Sequence, residues 1–384
     1  MAWIRNKPAI AKMPEEPSLI LWLFAGLVAL SACVLLFVLH ANHLLRVWQQ
    51  YNVWLLSGAP VFVWFVLICL RGWIYNNGVD KHEFEAKEAN YAQQQWVGWA
   101  GRYLAVMYSE ALLPGRLTPA QFMAASGREK HINQALRIDA RNDVDALSVL
   151  LGNVCGAVQR LPANLPLSVV LLTDSPNDDD ALQKAFSDCW QQQMPEGSVV
   201  PSVEILRSYS FAAIEHRIKT PEILAELILV HQMHGAEQYS DALAALLLAL
   251  DDVADRFKLD HDVRLLRPMP LDTDDLLTEL DLYFCTQTQA NTTGCITGDH
   301  LRWGDDFATL LQASEKYGGD WKTEQLHWLE TYTGICGPFS SWIVAAVVSD
   351  LVRLQQADCL MLSGSADQRF INTVTTGNKD QKHE

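Results

Sequence analysis

The side chains best suited to chemistry in this 384-residue sequence cluster in TGCITGDHLRWGDD, where Cys295 and His300 stand with Asp299, Asp305 and Asp306. A cysteine becomes a nucleophile when a neighbouring imidazole takes its proton, so a Cys/His pair is a recognisable beginning of acyl-transfer chemistry. Proximity along the chain is not contact, and the catalytic requirement is spatial. Cys155 in GNVCGAV, Cys295 and His300 are therefore the candidate catalytic residues, with their roles unassigned. His231 and His234, with Glu237, would share one face of a helix; without an HExxH pattern they read as surface or satisfied core histidines. Asp178, Asp179 and Asp180 precede a helical pattern, where the macrodipole favours acids, and lack the spacing of a calcium loop. No metal site is expected, and no cofactor. GxGxxG, GxxxxGK[ST] and GxSxG are all missing, so dinucleotide binding, P-loop hydrolysis and a serine nucleophile elbow have no support.

These groups need a scaffold, and composition limits which one. Hydrophobic residues make up 49% of the chain and charged residues 19%, which is too apolar for a disordered protein. The net charge is −16, unevenly spread. Residues 1–74 carry Arg5, Lys7, Lys12, Arg46 and Arg71 against Glu15 and Glu16, a surplus of three positive charges that leaves the remainder at −19. So acidic a body repels phosphate backbones, and nucleic acid is not an expected partner. The eight cysteines show no CxxC pair, which suits reduced thiols in a reducing compartment.

Ser18 to Leu39 and Val53 to Leu70 are uncharged apolar runs, the first of 22 residues, long enough to cross a hydrocarbon core. Trp22, Trp48, Tyr51 and Trp54 suit the interfacial belts. Lysine and arginine flank the pair on its outer ends, whereas the connecting loop holds only Arg46. The positive-inside rule then places both termini in the cytoplasm, in a bacterium at the inner membrane.

Beyond the hairpin, NNGVDKHEFEAKEANYAQQQ reads as a helical or flexible connector, and WVGWAGRYLAVMYSEALLP as a strand or a short amphipathic helix. Helical patterns follow at 118–126, 143–160 and 177–194; LSVVLLTDSP and ADCLMLSGS read as buried strands with polar exits, and Val203 to Arg207 as a short strand. Residues 220–235 combine helix and strand character; Tyr239 to Leu250 is a buried helix or a helix leading into a strand; 326–332 and 340–355 have helical spacing. The alternation predicts an α/β fold: a cytoplasmic tail at 1–17, a transmembrane helical hairpin at 18–75, a connector and small α/β region at 76–140, an α/β domain at 141–371 and a flexible tail at 372–384.

The segments LPLSVVLLTDSP, ILAELILVHQMHGAEQYSDALAALLLALDDV and ADCLMLSGSADQRF resemble strand and helix ends of thiolase/β-ketoacyl-synthase-like folds, over residues 140–375. The resemblance implies duplicated α/β halves with helices between two sheets. It also implies a reactive cysteine at the head of a buried helix, followed by two histidines. Cys155 is the nearest match to that cysteine, and nothing in the sequence supplies its partners, which implies a degenerate member without activity. The layout of two spans and a cytoplasmic body also resembles accessory membrane proteins of Gram-negative type VI secretion clusters, including the adaptors that help load effectors. The expectation is an inner-membrane-anchored adaptor that binds a protein partner beside the lipid bilayer; the alternative is a membrane-tethered acyl-transfer enzyme. A reporter fused after Glu384 should be active only in the cytoplasm, and a tag near Asn42 should be reachable from outside; a periplasmic C-terminus overturns this orientation.

Overall fold

In the computed structural model, residues 3–5, 8–44, 46–124, 130–139, 142–195, 198–272, 274–365 and 368–377 are described. Contacts divide the chain into two units, Arg5–Gln95 and a body made of Met1–Ile4 with Trp96–Glu384.

The first unit is a helical hairpin of α1 (Leu19–Ala41) and most of α2 (Val53–Ala100), and both helices are long and apolar enough to cross a membrane. None of the residues of α1 is buried, so its side chains face outward all round, as they would in lipid. The helices approach closely at Gly26, where a Cβ would stand 2.9 Å from the Trp64 ring, and Trp64 Nε1 donates to the Trp22 carbonyl at 3.0 Å. The charged stretch after the second apolar run is no flexible connector: it continues α2 without interruption.

The body begins with β1 (Tyr103–Leu112), α3 (Pro119–Ala124), α4 (Asp143–Gln159), β2 (Leu167–Thr173), α5 (Asp179–Gln193), β3 (Val203–Leu206), α6 (Ala213–Lys219), β4 (Ala225–Gln232), β5 (Ala242–Leu250) and α7 (Asp251–Phe257). It continues with β6 (Val263–Leu266), β7 (Met269–Leu271), α8 (Leu276–Thr286), β8 (Cys295–Gly298), α9 (Phe307–Glu315), β9 (Leu326–Trp328), α10 (Glu330–Thr333), α11 (Ser340–Gln355), β10 (Cys359–Ser365) and β11 (Gln368–Thr376). One mixed sheet runs β3-β2-β4-β5-β1-β6-β11-β10-β8-β9, with β7 beside β11.

The sheet is the same motif written twice. With β7 set aside, the strands of each half, numbered in chain order, lie as 3-2-4-5-1. In both halves the second strand pairs in parallel with the third and fourth, and the fifth is antiparallel to its neighbours. The halves join where β1 meets β6 antiparallel, Leu104 opposite Leu265. The connections correspond as well: α4 and α8, α5 and α9, and α6 and α11 take matching places in the two halves. The body therefore has the duplicated α/β halves that the thiolase-like resemblance implies, joined edge to edge in one continuous sheet where two were expected, and the α/β expectation holds.

Several local readings change. Within 239–250 the chain forms strand β5, and within 220–235 strand β4; every residue of both strands is buried. A strand covered on both faces carries an unbroken apolar run, which periodicity cannot tell from a buried helix. The helical spacing at 326–332 splits into β9 and the single turn α10. Residues 372–376, expected in a loose tail, complete β11, whereas 378–384 lie outside the described residues.

The main hydrophobic core fills the first half and surrounds α11, whose residues Ser340 to Val352 are all buried. That helix packs on strands of both halves, including β1, β5, β10 and β11. A second cluster under α8 and α9 takes in Trp3, which is edge-on to Trp99 at 5.1 Å. Leu246, wholly buried in β5, lies in the main core. Leu246→Ala should lower unfolding stability by about 2–5 kcal/mol, measured by denaturant titration of the full chain in detergent.

Candidate functional site

The α11 head is the place where buried polar chemistry gathers. Strand β8 ends at Gly298 and delivers Asp299, which is completely buried. Its carboxylate accepts from Gly364 N–H at 2.7 Å, the Ser340 hydroxyl at 2.8 Å, its neighbour's His300 N–H at 2.8 Å and the Trp303 indole at 2.9 Å. One acid thus fastens the ends of β8 and β10 to the first turn of α11, and each oxygen has partners, as burial of a carboxylate demands.

His300 follows directly, with Nε2 3.8 Å from Asp299 Oδ2 and Nδ1 3.6 Å from Glu330 Oε2. Parallel pairing of β8 with β9 brings Glu330 here: Glu330 N–H donates to the Asp299 carbonyl at 3.0 Å. The His300 ring holds the Glu330 carboxyl below the ordinary glutamate range against burial that pushes it up, and the Leu301 N–H, 2.7 Å away, helps. Cys336 completes the group from the loop before α11. Its thiol donates to the Asp299 carbonyl at 3.2 Å. Donor atoms of His300, Glu330 and Cys336 lie within 4.8 Å of one another. Burial, and then the Asp299 and Glu330 carboxylates, push the Cys336 thiol well above its usual range, so it stays protonated near neutral pH. Gly337 permits this approach: a Cβ there would collide with the Gln232 side chain at the end of β4. His300 and Glu330 keep 23% and 17% of their side-chain surface in solvent, so the group is reachable.

A cavity of about 20 Å³ lies beside Cys336, lined also by Leu113, Gln232, Asp241 and Ser340. Leu113 also lines a cleft of about 720 Å³ along β1 and α11. Arg137 of the cleft pairs with Asp241 of the small cavity at 2.6 Å. The cleft is also lined by Ser109, Arg116, Asp350 and Arg353.

The sequence-stated candidates fare differently. His300 belongs to the cluster. Cys295 does not: it is buried in β8, its Sγ 3.1 Å from Cys359 Sγ on the paired strand, and Cys336 takes the place expected for it. Cys155 lies near the end of α4, not at a helix head; its thiol donates to the Gln193 carbonyl at 3.1 Å and accepts from Gln159 Nε2. Glu330 and Cys336 went unrecognised in the sequence. The available signal was a cysteine in GICGP immediately before a helix apolar on most faces. His231 and His234 are on a strand end and the following turn, not on a helix. His234 Nε2 pairs with Asp143 at 2.7 Å, and His231 Nδ1 lies 3.0 Å from the Thr173 hydroxyl; Glu237 is exposed. Asp178 caps α5 through the Ala181 N–H at 2.9 Å, the helix-end role expected of the acidic triplet.

The halves echo each other here. Asp174, just beyond β2, accepts from the Met233 and His234 N–H groups just beyond β4, as Asp299 beyond β8 accepts from Gly364 in β10. Among the described residues, the second half adds a cysteine to the acid and histidine.

No protein-family model matches the sequence, and no curated protein does. Solved structures do match by fold. OleA of Xanthomonas campestris bound to cerulenin is 11% identical over 73% of this chain and 98% of its own, with a TM-score of 0.45. AbyA1, a tetronic acid condensing enzyme, is 12% identical over 71% of this chain and 99% of its own, at 0.45. A type II PKS acyl-carrier protein in complex with its ketosynthase, AntDE:AntF, gives 11% identity over 72% and 99%, at 0.47. Superposition at this level is loose, and the duplicated topology carries the fold assignment. The expected non-enzymatic adaptor of type VI secretion is not supported: the solved structures matched are OleA, a tetronic acid condensing enzyme and a ketosynthase with its acyl-carrier protein.

Asp350 in the cleft accepts from Ser109 at 2.7 Å and pairs with Arg353. Burial, outweighing both contacts, pushes its carboxyl up to about 6. The folded state then holds this proton more tightly than the unfolded chain. Its stabilising effect is present at low pH and fades as pH rises from the ordinary value of 3.8 through about 6. Relative to Asp350→Asn, the wild type should lose about 3 kcal/mol of stability across that window, read from denaturant midpoints at several pH values.

Proposed function

We propose that this protein is a membrane-tethered acyl-transfer enzyme that works through Cys336. The observation that carries the reading is the meeting of Cys336, His300 and Glu330 at the head of helix α11, which is buried from Ser340 to Val352. His300 accepts the thiol proton while Sγ attacks the carbonyl carbon of an acyl thioester. The C–S bond to the leaving group breaks, His300 returns the proton to the departing thiolate, and the acyl group remains on Cys336 as a new thioester. The ionised Glu330 stabilises the imidazolium formed on the way, as the third member of such triads does. Because the free thiol is held protonated, its activation coincides with the arrival of substrate, which excludes water from the pair.

The cleft of about 720 Å³ beside α11 has the volume of a small-molecule site and reaches the cysteine's surroundings at Leu113 and the Arg137–Asp241 pair. The two apolar helices hold the body at a bilayer, in this reading the bacterial inner membrane with both termini in the cytoplasm. The eight free cysteines suit that compartment.

Incubating the full chain in detergent with a fatty acyl thioester, followed by peptide mass spectrometry, should place one acyl group on Cys336. Cys336→Ala should abolish it and His300→Ala should slow it by about 100-fold or more. Cys155→Ala and Cys295→Ala should leave it unchanged. Acylation at another residue, or none in the folded wild type, overturns the proposal.

A further inference from the structure

The same three side chains have a second chemical identity. We propose that Cys336, His300 and Glu330 also form a binding site for a thiophilic divalent cation of the zinc type, which silences Cys336 while bound. The metal site stands on the geometry alone; only the silencing rests on the acyl-transfer reading.

Four observations support the site. The donor set is one sulfur, one imidazole nitrogen and one carboxylate oxygen, a mixture that selects zinc or cobalt over magnesium or calcium. The donor atoms already lie within 4.8 Å of one another, with His300 Nδ1 and Glu330 Oε2 3.6 Å apart. Bonds of about 2.0–2.3 Å to a tetrahedral ion bring such donors to roughly 3.3–3.8 Å, so side-chain shifts of about 1 Å suffice. Next, the histidine's two nitrogens are already sorted. Nδ1 faces Glu330 while Nε2 faces the Asp299 carboxylate, the outer-shell arrangement that orients metal-bound imidazoles. Asp299 itself is pinned by Gly364, Ser340 and Trp303 and cannot swing away.

The last observation is charge. Asp299 and Glu330 flank the thiol, with the Arg302 side chain the counter-charge in reach. The two carboxylates place negative charge where a dication would sit, and such an ion is bound by the thiolate form of cysteine. Three protein donors leave a fourth position for water. A thiolate sharing its electron pair with the cation cannot attack a carbonyl, so metal and acyl group exclude each other at Sγ.

The test uses the full chain in detergent, stripped with chelator and titrated with Co²⁺. One cobalt per chain should bind, with a thiolate-to-cobalt charge-transfer band that Zn²⁺ abolishes by displacement. Cys336→Ser should lose the band, His300→Gln and Glu330→Gln should weaken binding by about tenfold or more, and Cys155→Ser should keep both. Circular dichroism of each variant establishes that it is folded. No band in the folded wild type, or a band retained in Cys336→Ser, overturns the metal site. A parallel arm follows acylation of Cys336 with zinc and with chelator, where zinc should slow it by about tenfold or more. Equal rates with zinc bound overturn the silencing. A cobalt band without acylation even in chelator defeats the acyl-transfer reading and leaves the metal site intact; acylation without a band does the reverse.

Discussion

The burial of α11 along its whole working length governs this molecule. A helix buried from Ser340 to Val352 has no solvent face, so strands of both halves must cover it. Its first turn also carries backbone N–H groups that no preceding turn can satisfy. Partners come from the loop before it and from the tertiary structure: the Gly337 carbonyl takes the Ser340 N–H, while Gln232 Oε1 takes the Phe339 N–H and Asp299 takes the Ser340 hydroxyl. Satisfying the helix head requires polar groups from the ends of β4, β8 and β10 to meet in one place. The cysteine, histidine and glutamate sit where this requirement concentrates them.

Duplication explains why a single fold motif yields one such place and not two. Both halves end their second strand in an acid that ties down the strand beside it, Asp174 in the first and Asp299 in the second. In the first half the helix matching α11 is α6, only seven residues long. There His234 Nε2 lies 2.7 Å from Asp143, which also accepts from Ser175 and Asn177, while His231 turns to the Thr173 hydroxyl. Burial raises the Asp143 carboxyl, but the Ser175 hydroxyl and His234 outweigh it and keep it below its ordinary value, an ionised acid already matched to its donors. In the second half the acid, the histidine and the thiol are not all matched to one another, and chemistry is available.

The hairpin follows different physics from the body. In the body, apolar side chains are hidden by packing; in α1 and the first part of α2 they are displayed. Only close contacts such as Gly26 against Trp64 mark one helix meeting the other. That contrast between buried and displayed apolar surface is what a lipid solvent permits and water does not.

Features governed by local composition and period were legible in the sequence. Two uncharged runs of spanning length, the strand at 167–173, the helix capped by Asp178 and the apolar helix at 340–355 can be read directly, because each depends on a neighbour-to-neighbour pattern. The same pattern failed at 239–250, because a strand covered on both faces and a buried helix both present an unbroken apolar run. His300 could be singled out as a polar residue in a polar stretch, but its partner could not. Cys295 is closer in the chain, yet strand alternation sends its thiol to Cys359, while Cys336 arrives from a loop beyond β9. Chain distance carries no information about a contact closed by parallel pairing of β8 with β9 and by the seating of a buried helix. The elements were therefore written in the sequence, and the site was decided by tertiary packing, since its residues meet only because α11 must be covered and its head satisfied.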